Sequence, residues 1–397
     1  MGINYENLIS QIQRNLPTLP TVLSELSNIM KDPNCSSIAV EEVMASDQSM
    51  TMKILRVANT SFYRGSRARV TSTSEAIGSL GFEKIKNIAL TTSVFEFFSN
   101  EKEKDKLLLE DLWKHSLGVG WASRNIARIL NKSWDESAYS CGLLHDIGKI
   151  AKYKLNEVEN ESSLLNDVKI GLDQKIDFFK AEILNHSPRH DYLGYLICWN
   201  WGLSKSLEMV VRWHHEPNPK NRKNIESGDV HELIDIVILA NWIVIKLGFG
   251  FSGDKYPTKP PDALFRRLNL NSDLMHQVIE RTYSELECAT ETMSSMEFNS
   301  SHWEQKDSKL QNLHDEFGKN TQGYVNESVV ENDHTNLSLN PDSELRNDFL
   351  GILSSLADLK DTRIEPVGIS TEREKLIFDS FELQKKNDDS SENIELK

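Results

Sequence analysis

Apolar residues recur at three- and four-residue spacing along most of the chain before Met296, and this pattern limits the fold more than any other feature. One such series consists of Val22, Leu23, Leu26, Ile29 and Met30. This spacing places apolar side chains on one face of an α-helix, whereas a half-buried strand would show strict alternation. No β-rich segment stands out in the sequence, so we predict an all-α fold.

Two stretches indicate where helices begin and which of them are buried. The segment DPNCSS, Asp32 to Ser37, interrupts the first apolar series and supplies turn and capping residues for the next helix. The most apolar run, DIVILANWIVIKLGFGF, contains Asn241 and Lys246 and stops short of what a membrane span requires. We therefore predict that this run forms a buried helix and that the chain has no membrane span.

Charge and cysteine content narrow the class of protein. The formal net charge is −15, which argues against direct binding to nucleic acid, because such binding needs a cationic surface. The four cysteines are far apart and include no C-x-x-C pair, which favours a reducing compartment over a disulfide framework. The first residues, MGINYENLISQIQRNLP, lack the basic start and apolar core of a signal peptide. We expect a cytoplasmic protein.

The composition changes beyond about Met296, where the sequence becomes polar, acidic and nearly free of apolar clusters. Such a segment buries too little apolar surface to offset its ordering entropy, so we predict a largely disordered tail. One amphipathic helix near residues 342–360 interrupts this tail. The helix either docks on the protein's own core or binds a partner, and a homodimer through it is one expectation. Its apolar stripe consists of Leu345, Phe349, Ile352, Leu356 and Leu359.

These changes divide the chain into three regions. We predict an N-terminal helical subdomain over residues 1–104, a second helical subdomain over 105–296, and a mostly disordered acidic tail over 297–397. The second region differs from the first because polar residues appear inside its apolar runs. A functional site is therefore expected there.

The middle region concentrates histidines and carboxylates in apolar surroundings. Asp111 and His115 are four residues apart and share one helix face. His145 and Asp146 are adjacent in CGLLHDIGKI, and a metal ion between helices can contact both only near a helix end or bend. Any single histidine in such surroundings is usually a hydrogen-bonded core residue, but this many together favour a shared polar centre. The remaining histidines of the set are His186, His190, His214 and His215.

This centre is either a metal site or a buried hydrogen-bond network, and clustering alone does not separate the two. Helical metal sites collect deprotonated histidine and carboxylate ligands from several helices. Lys149, three residues after Asp146, would add a cation near the same centre, as a phosphate-binding site requires. Taken alone, Lys149 is more simply interpreted as an exposed lysine at a helix end.

Several motifs occur in an order that matches a known family. They are LPTLP (Leu16 to Pro20), ASDQSMTMKILRVANTSFY, AIGSLG, WKHS, GLLHDIGK, HDYLGYLICWNWGLS and VVRWHHEP. From about Gln13 to Leu247 the chain resembles the HDOD domain, the HD-related output domain of bacterial signalling proteins. The resemblance implies an all-α fold in which an HD-like helical bundle carries an added N-terminal helical subdomain. It also implies a regulatory module without demonstrated hydrolase activity, related to the HD-GYP cyclic di-GMP phosphodiesterases.

The resemblance further implies a ligand set for one or two divalent ions such as Fe, Mn or Zn. Asp111 matches an acidic residue one turn before the first histidine of the catalytic relatives. Lys149 matches the lysine after their HD motif, where it would hold a substrate phosphate. The implied metal ligands are His115, His145, Asp146, His190, His214 and His215.

Two departures from the catalytic relatives weaken the case for cyclic di-GMP hydrolysis. Asn241 stands where HD enzymes have a closing aspartate, and an amide carbonyl carries no charge. Asp235 is six residues earlier and would not share that helix face. After HHEP the sequence continues NPKNRKN, without a GYP segment.

Two functions from different classes remain open. The first is a non-catalytic bacterial signal-transduction module that acts through protein–protein contacts and has a metal-binding core. The alternative is a metal-dependent HD-type phosphohydrolase or phosphodiesterase acting on a nucleotide, including a cyclic one. A nucleotide-sensing domain that binds without cleaving covers the remaining ground. The expected partners are proteins of a signalling pathway.

Overall fold

A computed structural model describes residues 36–99, 106–159, 163–225 and 227–295, together with the single positions 25 and 29. Within this part of the chain every regular element is a helix and no β-strand occurs, so the all-α prediction is confirmed. The predicted tail and its helix near 342–360 lie outside the described residues. Residues 100–105 do as well, and the predicted boundary between the two subdomains falls there.

The helices are numbered here in chain order. The first group is α1 (Ser37–Ala45), α2 (Gln48–Ala58), α3 (Ser61–Arg64), α4 (Thr73–Leu80) and α5 (Phe82–Ser99). The second group is α6 (Lys106–Ile129), α7 (Asp135–Leu144), α8 (Ile147–Glu159), α9 (Ser163–Gln174) and α10 (Phe178–Leu184). The third is α11 (His190–Asn200), α12 (Lys205–Trp213), α13 (Gly228–Leu247), α14 (Asp262–Arg267) and α15 (Ser272–Ser295). A short 3₁₀ helix, Pro219–Asn221, lies between α12 and α13.

Side chains with short polar groups start several of these helices. The Ser36 hydroxyl accepts a hydrogen bond from the Ala39 amide, and an Asp47 carboxylate oxygen accepts one from the Met50 amide at 2.9 Å. Each bond satisfies an amide that has no partner within the helix. The predicted capping role of the DPNCSS segment is thereby confirmed, since Ser36 belongs to it.

The long helix α6 is the centre of the bundle. It packs against α7, α13 and α15, and its Trp113 and Trp121 side chains are fully buried. Helix α13 corresponds to the apolar run around Asn241 and is buried along most of its length, as predicted. It ends at Gly248, whose φ of 69° is the left-handed conformation that glycine adopts without strain. Among the described residues, no helix combines the length and the apolar character needed to cross a membrane.

The first helices are joined to the bundle through a buried polar contact between α5 and α7. The Asn87 amide donates to the Glu136 carboxylate at 2.9 Å, and its oxygen accepts from the Ser140 hydroxyl at 2.5 Å. The hydroxyls of Thr91 and Tyr139 lie 2.9 Å apart in the same interface. Because buried polar groups are costly to leave without partners, these bonds fix α5 in one register on α7. All described residues belong to one compact unit.

Candidate metal centre

The adjacent His145 and Asp146 lie at a break between two helices. Helix α7 ends at Leu144, His145 is its C-cap residue, and α8 begins at Ile147. The two side chains therefore leave the regular helix geometry that would point them apart. The sequence analysis expects one metal ion to contact both residues only near a helix end or bend, and the pair lies at such a position.

Close backbone contacts bring the neighbouring helices to this break. A Cβ atom on Gly142 of α7 would lie 2.6 Å from the Val119 carbonyl oxygen of α6. A Cβ atom on Gly148 of α8 would lie 1.9 Å from the His190 carbonyl oxygen at the start of α11. Only glycine fits at either point, and both contacts lie next to candidate ligands.

The other candidates also come from helix ends, with one exception. His190 is the first residue of α11, and His214 is the C-cap residue of α12, followed by His215. His115 alone projects from the middle of a helix, α6. His186 does not join the centre, because it is an exposed residue with a φ of 51°, so the apolar surroundings expected for it are wrong.

The carboxylate of Asp146 is the point on which the histidines converge. Its Oδ2 atom lies 3.3 Å from His145 Nε2 and 3.8 Å from His115 Nε2. Its Oδ1 atom lies 3.2 Å from His190 Nε2 and 3.6 Å from His214 Nε2. His215 extends the set, because its Nε2 atom lies 2.9 Å from that of His190.

These atoms form two donor groups that share Asp146. In what we call the Oδ1 group, the ligand atoms of Asp146, His190, His214 and His215 all lie within 4.8 Å of one another. In the Oδ2 group the same holds for His115, His145 and Asp146. The structure thus brings together all six residues for which the resemblance implied a metal-binding role.

Hydrogen bonds at the far side of three imidazole rings fix the direction of their lone pairs. His145 Nδ1 lies 2.7 Å from the Gly142 carbonyl oxygen, and His214 Nδ1 lies 2.8 Å from that of Val211. A carbonyl oxygen can only accept, so each Nδ1 atom carries the proton and each Nε2 lone pair faces Asp146. His190 Nδ1 faces the Glu182 carboxylate at 2.7 Å in the same way. Histidine ligands of metals are usually oriented by such outer partners.

Several buried polar atoms of the centre lack the partners that a finished hydrogen-bond network would give them. Among the described residues, His115 Nε2, His145 Nε2 and Asp146 Oδ1 are buried and have no hydrogen-bond partner. Unsatisfied buried polar atoms are rare and destabilising, unless an ion or water binds them. Imidazole nitrogens and a carboxylate are also the donor set that Fe, Mn and Zn accept. The residues present therefore fit a divalent metal ion.

The electrostatics of the centre favour neutral imidazoles around an ionised carboxylate. Burial lowers the pKa of His214 to about 4, and burial together with neighbouring histidines holds the pKa values of His115 and His215 well below the ordinary value. Burial by itself would raise the pKa of Asp146, but His145 and Lys149 outweigh it and hold that pKa well below its usual range. His190 differs, because Glu182 outweighs burial and raises its pKa. A metal ion that bound His190 would therefore displace a proton from it.

Lys149 is part of the centre and is not the exposed lysine that the simpler interpretation gave. Its side chain is buried, and its Nζ atom donates to Asp146 Oδ2 at 2.7 Å. The same ammonium group lies 4.6 Å from the centroid of the Phe178 ring. Lys149 therefore places a fixed positive charge beside the Oδ2 group.

A second buried network orients His190 through its Nδ1 atom and its backbone amide, and this network was not predicted from the sequence. Glu182 accepts hydrogen bonds from the amide and the ring of His190, and also from Lys152 Nζ at 2.7 Å. Lys152 further contacts Asp167 and, at 3.0 Å, the Ser187 hydroxyl. The available signal was a charged residue inside each of two apolar runs, with nothing to indicate that they meet.

The acidic residues considered as additional ligands are used elsewhere. Asp111 belongs to neither donor group, and its backbone carbonyl accepts a hydrogen bond from the Phe251 amide at 3.0 Å. Asp235 pairs with Arg222 and Arg267, so it does not replace a closing aspartate. Asn241 does reach the centre: its side chain interacts with His115, and among the described residues its Oδ1 atom has no hydrogen-bond partner.

The sequence model of the HDOD domain matches residues 16–217, which is half of the 397-residue chain. The chain belongs to the HDOD family. The match includes all six convergent residues and Lys149, and it confirms the family predicted from the motifs. Asn241 lies beyond the match, so its place in the centre rests on its contact with His115.

Solved structures show the same fold at low sequence identity. An HDOD domain protein of unknown function from Geobacter sulfurreducens is 21% identical, with a TM-score of 0.52, over 79% of this chain and 99% of that one. A protein from Marinobacter aquaeolei VT8, whose name assigns it provisionally to signal transduction, is 18% identical, with a TM-score of 0.58. The match covers 75% of this chain and 62% of that one. No curated protein matches the chain in sequence.

Proposed function

We propose that this HDOD protein is a non-catalytic signal-transduction module that holds one divalent metal ion and acts through contact with a protein partner. The observation that carries the proposal is the enclosure of the centre around the Asp146–Lys149 pair. The side chains of His115, His145, Asp146 and His190 are at most 1% exposed, and that of Lys149 is 3% exposed. A lysine already paired and covered in this way is poorly placed to receive a substrate phosphate.

The Oδ1 group is the better position for a single ion. It offers three imidazoles and one carboxylate oxygen, which is a complete set for four-coordinate binding. The Oδ2 group has fewer advantages, because Lys149 donates to Oδ2 and Asn241 contributes no charge. A cation and a neutral amide there disfavour a second dication.

The chain's own residues prepare the centre for this ion. The backbone carbonyls of Gly142 and Val211 orient His145 and His214, and the Glu182 carboxylate orients His190. An ion bound there would supply the positive charge that balances Asp146 and the Lewis acidity on which any hydrolysis would depend. Because its ligands come from the ends of α7, α11 and α12, metal binding would tie these helices together.

Family membership and the sequence after the HHEP motif support the proposed signalling role. HDOD domains are regulatory output modules, and the chain carries that domain. After the HHEP motif the chain enters the short 3₁₀ helix Pro219–Asn221, without a GYP segment. We expect the protein to respond to its signal through a protein contact and to release no product.

The alternative is a metal-dependent HD-type phosphohydrolase or phosphodiesterase acting on a nucleotide, including a cyclic one. The observation that favours it is that two donor groups share one carboxylate, which resembles the arrangement of two-metal centres. In that case Lys149 would have to leave Asp146 and face the substrate phosphate. The two functions differ in turnover and agree in metal binding.

The deciding experiment measures metal content and turnover on the same preparation. The full chain is purified without chelator and analysed for Fe, Mn and Zn by mass spectrometry. Phosphodiesterase activity is then assayed with cyclic di-GMP, and with bis(p-nitrophenyl) phosphate as a generic substrate, in the presence of Mn²⁺ or Fe²⁺. We expect about one ion per chain, bound by the four Oδ1-group ligands, and no turnover.

Two variants make this outcome specific to the centre. His145→Ala/Asp146→Ala removes the shared carboxylate and should abolish metal binding, whereas His186→Asn changes an exposed histidine and should bind metal normally. Asparagine is chosen because it tolerates the positive φ of that position. Turnover that disappears in the double variant would establish the hydrolase, and metal-free wild-type protein would contradict the proposed core.

A further inference from the structure

A cavity lies near the C-terminal end of α6, between the N-terminal helices and the bundle. Its volume is about 270 Å³, and it is formed by the end of α3 with the following turn, by the first turn of α5 and by the last part of α6. Among the described residues, every charged side chain that lines it is a cation. These side chains are Arg64, Arg67, Lys84, Arg124 and Arg128.

Carboxylates balance only the part of this charge that belongs to α6. The Glu136 carboxylate lies 3.0 Å from Arg128 and 4.0 Å from Arg124, and Asp135 pairs with Arg128 as well. Glu285 approaches Arg124 at 3.9 Å from α15. None of these acids lines the cavity.

The other three cations differ from those of α6 in their contacts. Within the described part of the chain, none of Arg64, Arg67 and Lys84 forms an ion pair with a carboxylate, and Arg64 Nε is buried without a hydrogen-bond partner. Arg67 donates to the Ser79 carbonyl oxygen at 3.0 Å, which holds it beside the cavity. Like charges gathered around one cavity repel each other unless an anion binds between them.

Lys84 is the most unfavourable of these positions for a positive charge. It lies in the first turn of α5, where the helix dipole is already positive. Burial lowers its pKa, and Arg128, Arg124 and Arg67 lower it further, against the opposing effect of Glu136. An anion in the cavity would interact favourably with the dipole and with all these cations at once.

We propose that this cavity binds the diphosphate group of a small phosphorylated ligand. Guanidinium groups match the geometry of phosphate oxygens and bind them through paired, charge-assisted hydrogen bonds. Several cations around one cavity favour a ligand with more than two negative charges over a monocarboxylate. A volume of about 270 Å³ accommodates a diphosphate group but encloses no macromolecule. Inorganic pyrophosphate and nucleoside diphosphates share this chemistry.

Binding would have a structural consequence because the cations come from separate elements. Arg64 ends α3 and Arg67 lies in the following turn, Lys84 lies in the first turn of α5, and Arg124 and Arg128 lie in the last part of α6. A ligand that contacts all three would hold the N-terminal helices against the bundle and raise the melting temperature. The site is separate from the metal centre, which permits both to be measured on one protein.

Calorimetric titration of the full chain with pyrophosphate tests the proposal. Chelator is present throughout, so that the Asp146 centre holds no metal that could bind phosphate. Wild-type protein should bind pyrophosphate, with a rise in melting temperature, and Arg67→Gln/Lys84→Gln should weaken binding roughly tenfold or more. Arg69→Gln is the matched control, because Arg69 is exposed in the same segment but does not line the cavity. It should stay within about twofold of wild type.

Further ligands identify the source of the diphosphate and set the limits of the proposal. Tighter binding of ADP or GDP than of pyrophosphate would indicate a nucleotide, and equal binding would indicate recognition of the diphosphate alone. Arg67→Gln by itself keeps the test valid if the double variant is unstable, because Arg67 is exposed. No pyrophosphate binding by wild type, equal binding by the cavity variants, or binding of a single-stranded oligonucleotide only would overturn the proposal.

Discussion

Helix α6 contributes to two groups of opposite charge, one at its middle and one in its last part. Toward its first half, His115 faces neutral imidazoles and the ionised Asp146, which together form a set of electron-pair donors. Nine residues later, roughly 14 Å along the axis, Arg124 begins a group of cations around a cavity. One rigid helix therefore connects a site suited to a metal cation with a site suited to a phosphate anion.

The difference lies in burial and in how the charges are balanced. At the metal centre the carboxylate is buried with its partners, and the donors come from helix ends that glycines bring into contact. At the basic cavity, exposed Arg67 and half-buried Lys84 leave the charge accessible to a ligand from solution. An enclosed site holds an ion as part of the structure, whereas an open site exchanges its ligand. This comparison favours a resident metal at the middle of α6 and a sensed ligand at its last part.

The largest effect is expected where backbone contact creates the metal centre. Gly148→Ala places a Cβ atom 1.9 Å from the His190 carbonyl oxygen, so α8 and α11 must separate. We expect a loss of more than about 3 kcal/mol in the free energy of unfolding, at the upper end of the range for overpacking. Urea unfolding in the presence of a chelator measures this loss.

Gly78→Ala is the matched control for this substitution. Gly78 lies in α4, and a Cβ atom there would meet nothing within 4 Å. Alanine should therefore be neutral or stabilising by roughly 0.5–1 kcal/mol, the usual gain in a helix. Equal stability of the two variants would show that the backbone contact at Gly148 does not hold the centre together.

The sequence predicts the parts of this molecule that depend on local pattern. The helical periodicity gives the all-α fold, DPNCSS gives a helix start at Ser36, and the adjacent His145 and Asp146 require a helix end, which the structure provides. The convergence of the histidines also follows from motifs with a fixed order along the chain. The sequence does not predict which distant side chains contact each site residue, because tertiary packing determines those contacts.

Lys149, Glu182 and the basic cavity illustrate that limit. Nothing near Lys149 in the sequence tells whether it points to solvent or toward Asp146, and the structure has it buried. Glu182 meets His190 across the five-residue connection 185–189 between α10 and α11. The cavity joins residues from three elements that are up to 64 positions apart, from Arg64 to Arg128, and no local pattern links them.

Acid should destabilise the metal centre, because burial holds its His214 neutral in the folded protein. The pKa of His214 is about 4 in the folded protein and about 6.5 when unfolded, so the unfolded chain binds more protons between these values. Stability from this histidine is therefore complete above about pH 6.5 and is lost as the pH falls toward 4. This difference in pKa corresponds to about 3 kcal/mol in the free energy of unfolding.

Urea unfolding of metal-free protein between pH 7 and pH 4.5 measures this loss. His214→Gln should flatten the dependence on pH relative to wild type, whereas the exposed His186→Asn should leave it unchanged. The comparison between variants matters because His190, with its raised pKa, acts in the opposite direction. If the free energy of unfolding depended on pH equally in wild type and His214→Gln, burial would not be holding His214 neutral.

The smallest of these effects concerns charge within the metal centre itself. Asn241→Asp adds a carboxylate beside His115, where the Oδ2 group has Lys149 and no anion of its own apart from Asp146. We expect Mn²⁺ to bind roughly tenfold more tightly, a size typical of changes next to metal ligands, and the stoichiometry to rise from one ion toward two. Asn200→Asp makes the same charge change at an exposed helix end and should do neither. Both variants binding one ion with the wild-type affinity would show that Asn241 does not prevent a second ion from binding at the Oδ2 group. The positive charge of Lys149 would then be the remaining explanation.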